Sequence, residues 1–374
     1  MVIRYILIFS ATLFTLVATI FIVLFIISPG KPKVLTDNKG NYLKTSISEK
    51  IHVQIGGISQ GMFVRSKNIE NPVLLFVHGG PCFSEYFLVE KNPTGLEDYF
   101  TVCYWEQRGC GISYTQEISL ESITLKQMSN DLIDVTNYLR RRFKKKKIYI
   151  LAHSGGTAFA IRTVSENPEL YNAYIGVAQI TSQAESEKHS YQYMVDEYSS
   201  RGDSAKLKEF KKYPILNDDN YLPSYFGSRL RDESMHELGI GTMRRMKSVI
   251  SGVFLPVWGC RAYTLKEKFN IWKSKLTFIN KSTIKEQILN LDLPSEISRI
   301  DIPVYFFSGR YDMTVNKDLS SSFLQSIQAP VKGFYTFKKS AHSPMFEESG
   351  RFLMIMTRDV LNKTVNLADK QQKI

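Results

Sequence analysis

The apolar positions of the chain fall into short runs separated by glycine-containing turns and by stretches with helical spacing. Several runs are apolar on both faces, which is typical of buried strands in a mainly parallel sheet. Helical spacing predicts helices at roughly 121–143, 319–327 and 345–361. The alternation of these elements predicts an α/β fold, in which helices flank a mostly parallel sheet. The predicted strands cover 73–77, 101–105, 148–153, 173–180, 302–308 and 333–337, after an opening hairpin at 51–66.

The strand pattern is interrupted between residues 181 and 295. This region is rich in Lys, Glu, Tyr and Ser and keeps helical spacing, but it has few signals of buried strands. We therefore expect a helical insertion that covers the strand ends as a cap, although a purely structural insertion would show the same pattern. The chain then divides into an N-terminal segment 1–29, a core 30–180, the cap 181–295 and a second core part 296–374.

The N-terminal segment contains an uncharged apolar stretch at 5–28, longer than the roughly 20 residues that cross a bilayer as a helix. A signal peptide is the alternative, but its apolar region is shorter and ends at a small-residue cleavage site, whereas this one ends in Ile-Ile-Ser-Pro-Gly. The pattern predicts an uncleaved single-pass anchor in the cell membrane. If the short N-terminal end stays inside, the rest of the chain is extracytoplasmic.

Composition and charge do not indicate a nucleic-acid partner, a cysteine metal site or a dense disulfide framework. The chain has 374 residues and a formal net charge of +12, but its basic residues are scattered except at 140–147, where RRRFKKKK closes a predicted helix. Cations are favourable at a helix C-terminus, so this run does not indicate a nucleic-acid partner. The four cysteines show neither metal-ligand nor dense disulfide spacing, and we expect reduced, buried thiols: Cys82, Cys103, Cys110 and Cys260.

A candidate nucleophile stands in the stretch 148–158, which reads IYILAHSGGTA. The pattern predicts a buried strand, a sharp turn and a helix, with Ser154 at the tip of the turn. A serine held there faces the strand ends, and the helix N-terminus favours negative charge that develops beside it. Ala152, Gly155 and Gly156 supply the small neighbours that such a tight turn requires. Ordinary strand-to-helix loops share this composition, so Ser154 needs partners elsewhere in the chain.

The base that would activate Ser154 is identified by elimination among the six histidines. His153 lies in extended chain beside the serine, and we expect its side chain on the opposite face. His78 begins a glycine turn and is expected to brace it. His342 follows the late strand at 333–337, where a loop brings it to the carboxyl edge of the sheet.

A carboxylate must hold the base in the correct tautomer. Asp301 precedes the strand at 302–308 and would lie at the far edge, whereas Asp312 follows this strand and lies on the serine's side. The predicted triad is therefore Ser154, Asp312 and His342. This chain order is expected of an α/β-hydrolase, and the chemistry needs no metal or cofactor.

Backbone donors for a developing oxyanion are predicted from the glycine turn at 78–82, which reads HGGPC. Acyl transfer needs N–H groups aimed at the oxyanion, and glycines let the backbone approach the substrate. Gly80 is the candidate on this turn, paired with Gly155 after the serine. A plain glycine turn after a strand is the alternative.

Three motifs resemble those of proline iminopeptidases. The stretch 78–82 is similar to HGGPG, 106–113 is similar to DQRGxGxS, and 152–156 is similar to their nucleophile elbow. These enzymes are serine aminopeptidases of the α/β-hydrolase fold, which release an N-terminal residue, typically proline. The resemblance extends over about 57–361, excluding most of the cap.

The resemblance implies the nucleophile, base, acid and oxyanion donors already named. It departs from the family pattern at three positions, namely Cys82 for the last glycine of HGGPG, Glu106 for aspartate and Ala152 for the first elbow glycine. No departure removes a catalytic group. All three leave the identity of the substrate open.

Three functions remain after this comparison. An aminopeptidase acting on small peptides needs a carboxylate for the substrate ammonium, and the candidates are Glu85, Glu185 and Glu187. A carboxylesterase or amidase for small esters or amides needs an apolar pocket, which the aromatic residues of the cap would provide. A membrane-tethered binding protein that kept the fold is the third, and an intact triad argues against it.

Overall fold

The structure is a computed structural model and describes residues 2–37, 39–279 and 281–370. One eight-stranded sheet has the strand order β1-β2-β4-β3-β5-β6-β7-β8. β2 pairs antiparallel with β1 and β4, and the other pairs are parallel. The strands are β1 Ile47–Ile55, β2 Ile58–Ser66, β3 Val73–Val77, β4 Thr101–Trp105, β5 Ile148–His153, β6 Tyr171–Val177, β7 Val304–Gly309 and β8 Lys332–Phe337.

Helices account for most of the remaining chain. Three segments with π-helical hydrogen bonding, Ile250–Phe254, Lys275–Ile279 and Met356–Val360, join or extend them. The α-helices are α1 Val2–Ile26, α2 Tyr86–Lys91, α3 Leu125–Arg142, α4 Thr157–Glu166, α5 Gln183–Ser200, α6 Ser204–Phe210, α7 Leu222–Phe226, α8 Arg229–Leu238, α9 Leu255–Gly259, α10 Leu265–Ser274, α11 Ile284–Leu289, α12 Leu293–Glu296, α13 Lys317–Ser326, α14 Pro344–Glu347 and α15 Ser349–Ile355.

The core lies on both faces of the sheet. Consecutive residues of one strand point to opposite faces, so Leu75 packs in a cluster with Leu132 of α3 and Phe159 of α4. The neighbouring Leu74 packs in a second cluster with Phe352 of α15. Strands β3, β4, β5 and β7 are buried along their whole length. The predicted mostly parallel sheet flanked by helices is confirmed.

Two helix predictions differ from the structure. The helix predicted at 121–143 begins only at Leu125, because the Thr124 hydroxyl caps it by accepting from the Gln127 N–H at 3.1 Å. The helix predicted at 345–361 is divided into α14, α15 and a π-helical turn. The division falls at Glu348, whose non-helical backbone places its carboxylate within 2.9 Å of the Lys339 N–H.

Between β6 and β7 the described chain holds a series of helices, from α5 to α12, joined by turns and loops. Part of it has an apolar cluster of its own, in which Tyr191 and Tyr198 of α5 pack with Phe210 and Tyr225. Buried aromatic rings contribute much of the apolar area of such a cluster. This part therefore has a small core of its own, whereas other residues of the region, such as Tyr263 and Ile284, pack in the two clusters on the sheet.

The N-terminal helix α1 has 25 residues, is strongly apolar and is not buried against the rest of the described chain. It begins at Val2 and so includes Arg4, earlier than the predicted start at residue 5. Its length and apolar composition suit a membrane span. A signal sequence near an N-terminus has a similar length and composition. All four cysteines are free and buried, as predicted.

Candidate active site

The turn between β5 and α4 holds Ser154 in a left-handed backbone conformation, with φ of +49°. The turn is tight because the two residues that follow Ser154 are glycines, and other backbone packs where their Cβ atoms would lie. A Cβ atom on Gly156 would lie only 2.5 Å from the His78 carbonyl oxygen and 2.7 Å from that of Val77. One on Gly155 would lie 3.1 Å from the Gly80 carbonyl carbon. Ser154 therefore stands out from the carboxyl edge of the sheet on a turn that tolerates little change.

The structure brings together the three residues of the predicted triad. His342 Nε2 lies 2.7 Å from Ser154 Oγ, and His342 Nδ1 lies 2.9 Å from Asp312 Oδ2. With Nδ1 protonated, His342 donates to the carboxylate and accepts the serine hydroxyl. The Asp312 side chain is fully buried, whereas Ser154 is half-buried and open to the cavity above it.

Asp312 is held by the loop that follows β7. Its Oδ1 accepts from the backbone N–H groups of Thr314 at 2.9 Å and Val315 at 3.0 Å. These two bonds fix the carboxylate and leave Oδ2 for His342. The loop thus fixes the orientation of the Asp312 carboxylate toward His342.

The loop that carries His342 is held from two sides. A Cβ atom on Gly309 would lie 1.8 Å from the Ala341 carbonyl oxygen, so the end of β7 approaches this loop directly. The Ala341 N–H donates to Glu347 Oε2 at 2.8 Å, and the Arg244 N–H donates to Oε1 at 2.7 Å. Burial raises the pKa of Glu347 to about 7. Glu347 thus connects the histidine loop to the cap.

The glycine turn after β3 lies against the serine turn. Gly80 has φ of +116°, in the region that favours glycine. His78 braces the turn as predicted, because its Nε2 accepts from the Gln107 N–H at 3.1 Å. Burial is the main cause that lowers the pKa of His78, which agrees with an accepting ring nitrogen. The peptides of Gly80 and Gly155 are therefore neighbours beside Ser154.

Two of the residues that depart from the family motifs, Cys82 and Glu106, hold backbone close to the site. Cys82 has φ of +56°, a conformation that favours the family's glycine, and its carbonyl accepts from the Ser274 hydroxyl at 2.7 Å. Glu106 accepts the Ile112 N–H at 2.7 Å and the Tyr263 hydroxyl. Burial raises the pKa of Glu106 to about 7. Both residues hold backbone near the site without reaching the triad.

The sequence predicts that the His153 side chain points to the opposite face from Ser154. This prediction is wrong, because the His153 side chain lies beside His342. The His153 ring centre lies 5.1 Å from that of His342, and its Nε2 lies 3.1 Å from the His342 carbonyl oxygen. Its Nδ1 lies 2.9 Å from both carboxylate oxygens of Glu85. Strand alternation does not extend past the end of β5, where the chain turns sharply at Ser154.

Glu85 and His153 form a buried ion pair beside the triad. Burial opposes the charge on His153, but the Glu85 carboxylate outweighs it and raises the pKa of His153. Burial likewise opposes ionisation of Glu85, and the neighbouring His153 lowers its pKa on balance. Both partners of the ring nitrogens are acceptors, which also favours the doubly protonated imidazole. No sequence motif pointed to this pair, because 68 positions separate its members.

The other two predicted substrate carboxylates do not line the cavity. Glu185 is exposed and pairs with Lys188 at 3.2 Å, because its position in α5 faces solvent. Glu187 is fully buried and binds Arg231 with both oxygens, each at 2.6 Å. The prediction that Glu185 or Glu187 binds a substrate ammonium is therefore corrected. Glu185 faces solvent, and the charge of Glu187 is already neutralised by Arg231.

A cavity of about 240 Å³ lies over Ser154 and His342. Its two carboxylates are Glu85 and Asp232, within the part of the chain that the structure describes. Arg231 and Lys275 contribute positive charge to the same wall. Sequence reasoning missed Asp232, which lies in α8 without any motif. Much of the remaining wall is apolar and comes from Phe83, Phe87, Leu88, Met235, Met246, Val249, Val253 and Ile279.

The sequence of this chain resembles one protein family and one curated protein. Residues 96–199 match the model of a family described as serine aminopeptidase, S33. A probable aminopeptidase, YbaC of Bacillus subtilis, is 28% identical over 324 residues, which cover 84% of this chain and 97% of the relative.

Among solved structures, VinJ superposes with a TM-score of 0.60 at 16% identity, and covers 84% of this chain and 99% of its own. A proline iminopeptidase of Mycobacterium smegmatis gives 0.58 at 14% identity, with 84% and 98% covered. The α/β-hydrolase fold and the resemblance to serine aminopeptidases, both predicted from the motifs, are confirmed by these comparisons.

Proposed function

We propose that this α/β-hydrolase is a membrane-anchored serine aminopeptidase, which releases an N-terminal proline or another small residue from peptides. The hydrogen-bonded series from Ser154 Oγ through His342 to Asp312 carries the proposal of a hydrolase. The curated relative named a probable aminopeptidase supports the choice of peptide substrates.

The proposed reaction follows from this arrangement. His342 Nε2 takes the hydroxyl proton while Ser154 Oγ attacks the carbonyl carbon. The N–H groups of Gly80 and Gly155 stabilise the resulting oxyanion. His342 then gives its proton to the departing amine, which leaves an acyl-enzyme. Water, deprotonated by His342, adds to the acyl carbon, and Ser154 recovers its proton when the ester breaks.

Glu85 is our candidate for binding the substrate ammonium. A Cβ atom on Gly79 would lie 2.8 Å from Glu85 Oε1 and 2.9 Å from Ser154 Cβ, so the carboxylate lies close to the nucleophile. His153 holds both oxygens from one side, but each oxygen of a carboxylate accepts about two hydrogen bonds. A substrate ammonium bound there would place the following carbonyl near Ser154.

A carboxylesterase or amidase of the same fold is the second candidate. Two observations favour it, namely the largely apolar cavity wall and the pairing of Glu85 with His153. A small apolar ester or amide would need no cation-binding group there.

The membrane part of the proposal rests on α1, which would anchor the chain and leave the hydrolase domain on the extracytoplasmic side. The hydrolase domain would then bind its small peptide, ester or amide substrate outside the cytoplasm. No nucleic acid is part of this proposal.

The test of substrate class uses the full-length protein in detergent micelles with a proline arylamide and a short-chain p-nitrophenyl ester. We expect cleavage of both, because an activated serine also attacks esters. Cleavage of the ester alone would contradict the aminopeptidase and favour the esterase. Cleavage of neither would contradict both.

A substitution of Glu85 separates amine recognition from the shared chemistry. We expect Glu85→Gln to lower kcat/KM for the arylamide about 10- to 100-fold more than for the ester, because a charge-assisted bond to the ammonium is lost. Steady-state kinetics with both substrates measure this ratio.

Two matched variants control the Glu85 experiment. Glu185→Gln changes an exposed carboxylate outside the cavity and should not alter the ratio. Asp232→Asn changes the other carboxylate of the cavity wall. If this variant shows the selective loss and Glu85→Gln does not, Asp232 binds the ammonium instead.

A further inference from the structure

The cap carries exposed apolar side chains on one surface next to the N-terminal helix. We define the apolar cap face as Ile250, Phe254, Leu255 and Phe269, with the half-buried Trp258 and Trp272 beside them. Leu255 is 58% exposed and Ile250 is 66% exposed. Outside α1, the large apolar side chains exposed elsewhere in the described chain are spread from Val34 to Val365.

The rings of this face form one continuous cluster. Phe254 lies 6.0 Å from Trp258 and 5.5 Å from Trp272, measured between ring centres. Trp258 lies 5.0 Å from Phe269. Both indole nitrogens are shielded from solvent and have no hydrogen-bond partner in the described structure, so the exposed surface of this cluster is apolar. Tryptophan is among the residues that collect at membrane interfaces.

The end of α1 is bound to this same part of the cap. Lys268 Nζ donates to Ser28 Oγ at 2.8 Å and to the Trp258 carbonyl at 2.6 Å. The Gly30 N–H donates to the Arg261 carbonyl at 3.1 Å. A helix of this length crosses the roughly 30 Å hydrocarbon layer, so Ser28 would lie at its surface. The apolar cap face is then held at the same depth.

The charge around the face fits a membrane surface. Residues 244–275 contain eight Lys and Arg, of which Lys268 is buried, and one acidic residue, Glu267. That residue is already paired with Lys50 at 2.8 Å. Basic residues beside an apolar face are attracted by anionic headgroups.

From these observations we infer that the apolar cap face docks into the headgroup region of the bilayer that α1 spans. The inference rests on the proposed anchor, but not on the proposed peptide chemistry. Val253 and Val249 line the catalytic cavity from the same segment as Ile250 and Phe254. Docking therefore brings one wall of the cavity next to the membrane.

The tryptophans provide the test in the full-length protein. Of the three, Trp105 is buried in the core, whereas Trp258 and Trp272 lie on the face. In phosphatidylcholine and phosphatidylglycerol vesicles, we expect lipids brominated near the headgroup to quench roughly half of the emission. Emission that stays unquenched in a protein that floats with the vesicles would overturn the docking and leave the anchor standing.

Three variants complete the experiment. Phe254→Ser with Leu255→Ser should float normally but lose most of the quenching, whereas Leu216→Ser changes an exposed apolar residue outside the face and should keep it. Quenching that persists when Trp258 and Trp272 are both replaced by Phe would overturn the inference. A full-length protein that does not float would overturn the anchor, and with it this docking, whatever the activity on soluble substrates.

Discussion

Replacement of Ser154 by alanine is expected to lower turnover of every substrate about 10⁴- to 10⁶-fold, because the nucleophile and the covalent intermediate are both lost. Ser154 Oγ is the atom within 2.7 Å of His342 Nε2, and alanine removes only this atom. The Ser154 carbonyl accepts from the Thr157 hydroxyl at 2.6 Å, and alanine keeps this carbonyl. We therefore expect the variant to fold normally, with a thermal midpoint close to that of the parent protein.

Two measurements check this expectation. Initial rates with the arylamide and the ester give the loss of turnover, and circular dichroism on heating gives the midpoint. A fluorophosphonate should add covalently to Ser154 in the parent protein and not in the variant, as mass spectrometry would show. Unchanged hydrolysis by a folded Ser154→Ala protein would contradict the mechanism.

The sheet and the candidate triad could be predicted because each depends on local patterns and on chain order. Buried parallel strands read as continuous apolar runs, and residues that follow such strands meet at one edge. Asp312 follows β7 and so lies at this edge, whereas Asp301 lies before β7, is exposed and pairs with Arg299. Chain order alone places the two residues, whatever the packing of the helices between β6 and β7.

The surroundings of the triad could not be predicted in the same way. Glu85 follows the glycine turn and His153 ends β5, and only the packing of the turn against the strand brings them within 2.9 Å. Period-two alternation assigns a face within a strand, but it does not describe a side chain at a sharp turn.

The orientation of α5 explains why Glu185 and Glu187 do not line the cavity, although the sequence suggested both as carboxylates for the substrate ammonium. The first half of this helix buries polar side chains, whereas the second half buries apolar ones: Gln183, Ser186, Glu187 and Ser190, then Tyr191, Met194 and Tyr198. Where the buried positions are polar, the apolar spacing that normally reveals the inner side of a helix is absent. Sequence alone therefore could not show that Glu187 faces Arg231 while Glu185 faces solvent.

Replacement of Asp312 by asparagine is expected to lower kcat about 10³- to 10⁴-fold through the tautomer of His342. Thr314 and Val315 direct their N–H groups at Oδ1, so the asparagine oxygen should occupy that position and its amide nitrogen should face the imidazole. Because an amide nitrogen only donates, His342 Nδ1 must then accept, and the ring proton moves to Nε2. A protonated Nε2 cannot take the proton of Ser154.

A matched variant tests whether the position of the carboxylate matters. Asp301→Asn changes an exposed acid that precedes β7 and should keep kcat within about twofold, since surface substitutions have small effects. Proton NMR of the imidazole region should show that the Nδ1–H resonance, hydrogen-bonded to Asp312 in the parent, is absent from Asp312→Asn. Near-normal turnover in Asp312→Asn would mean that another acid orients His342. A large loss that leaves this resonance in place would mean that Asp312 acts on the fold and not on the tautomer.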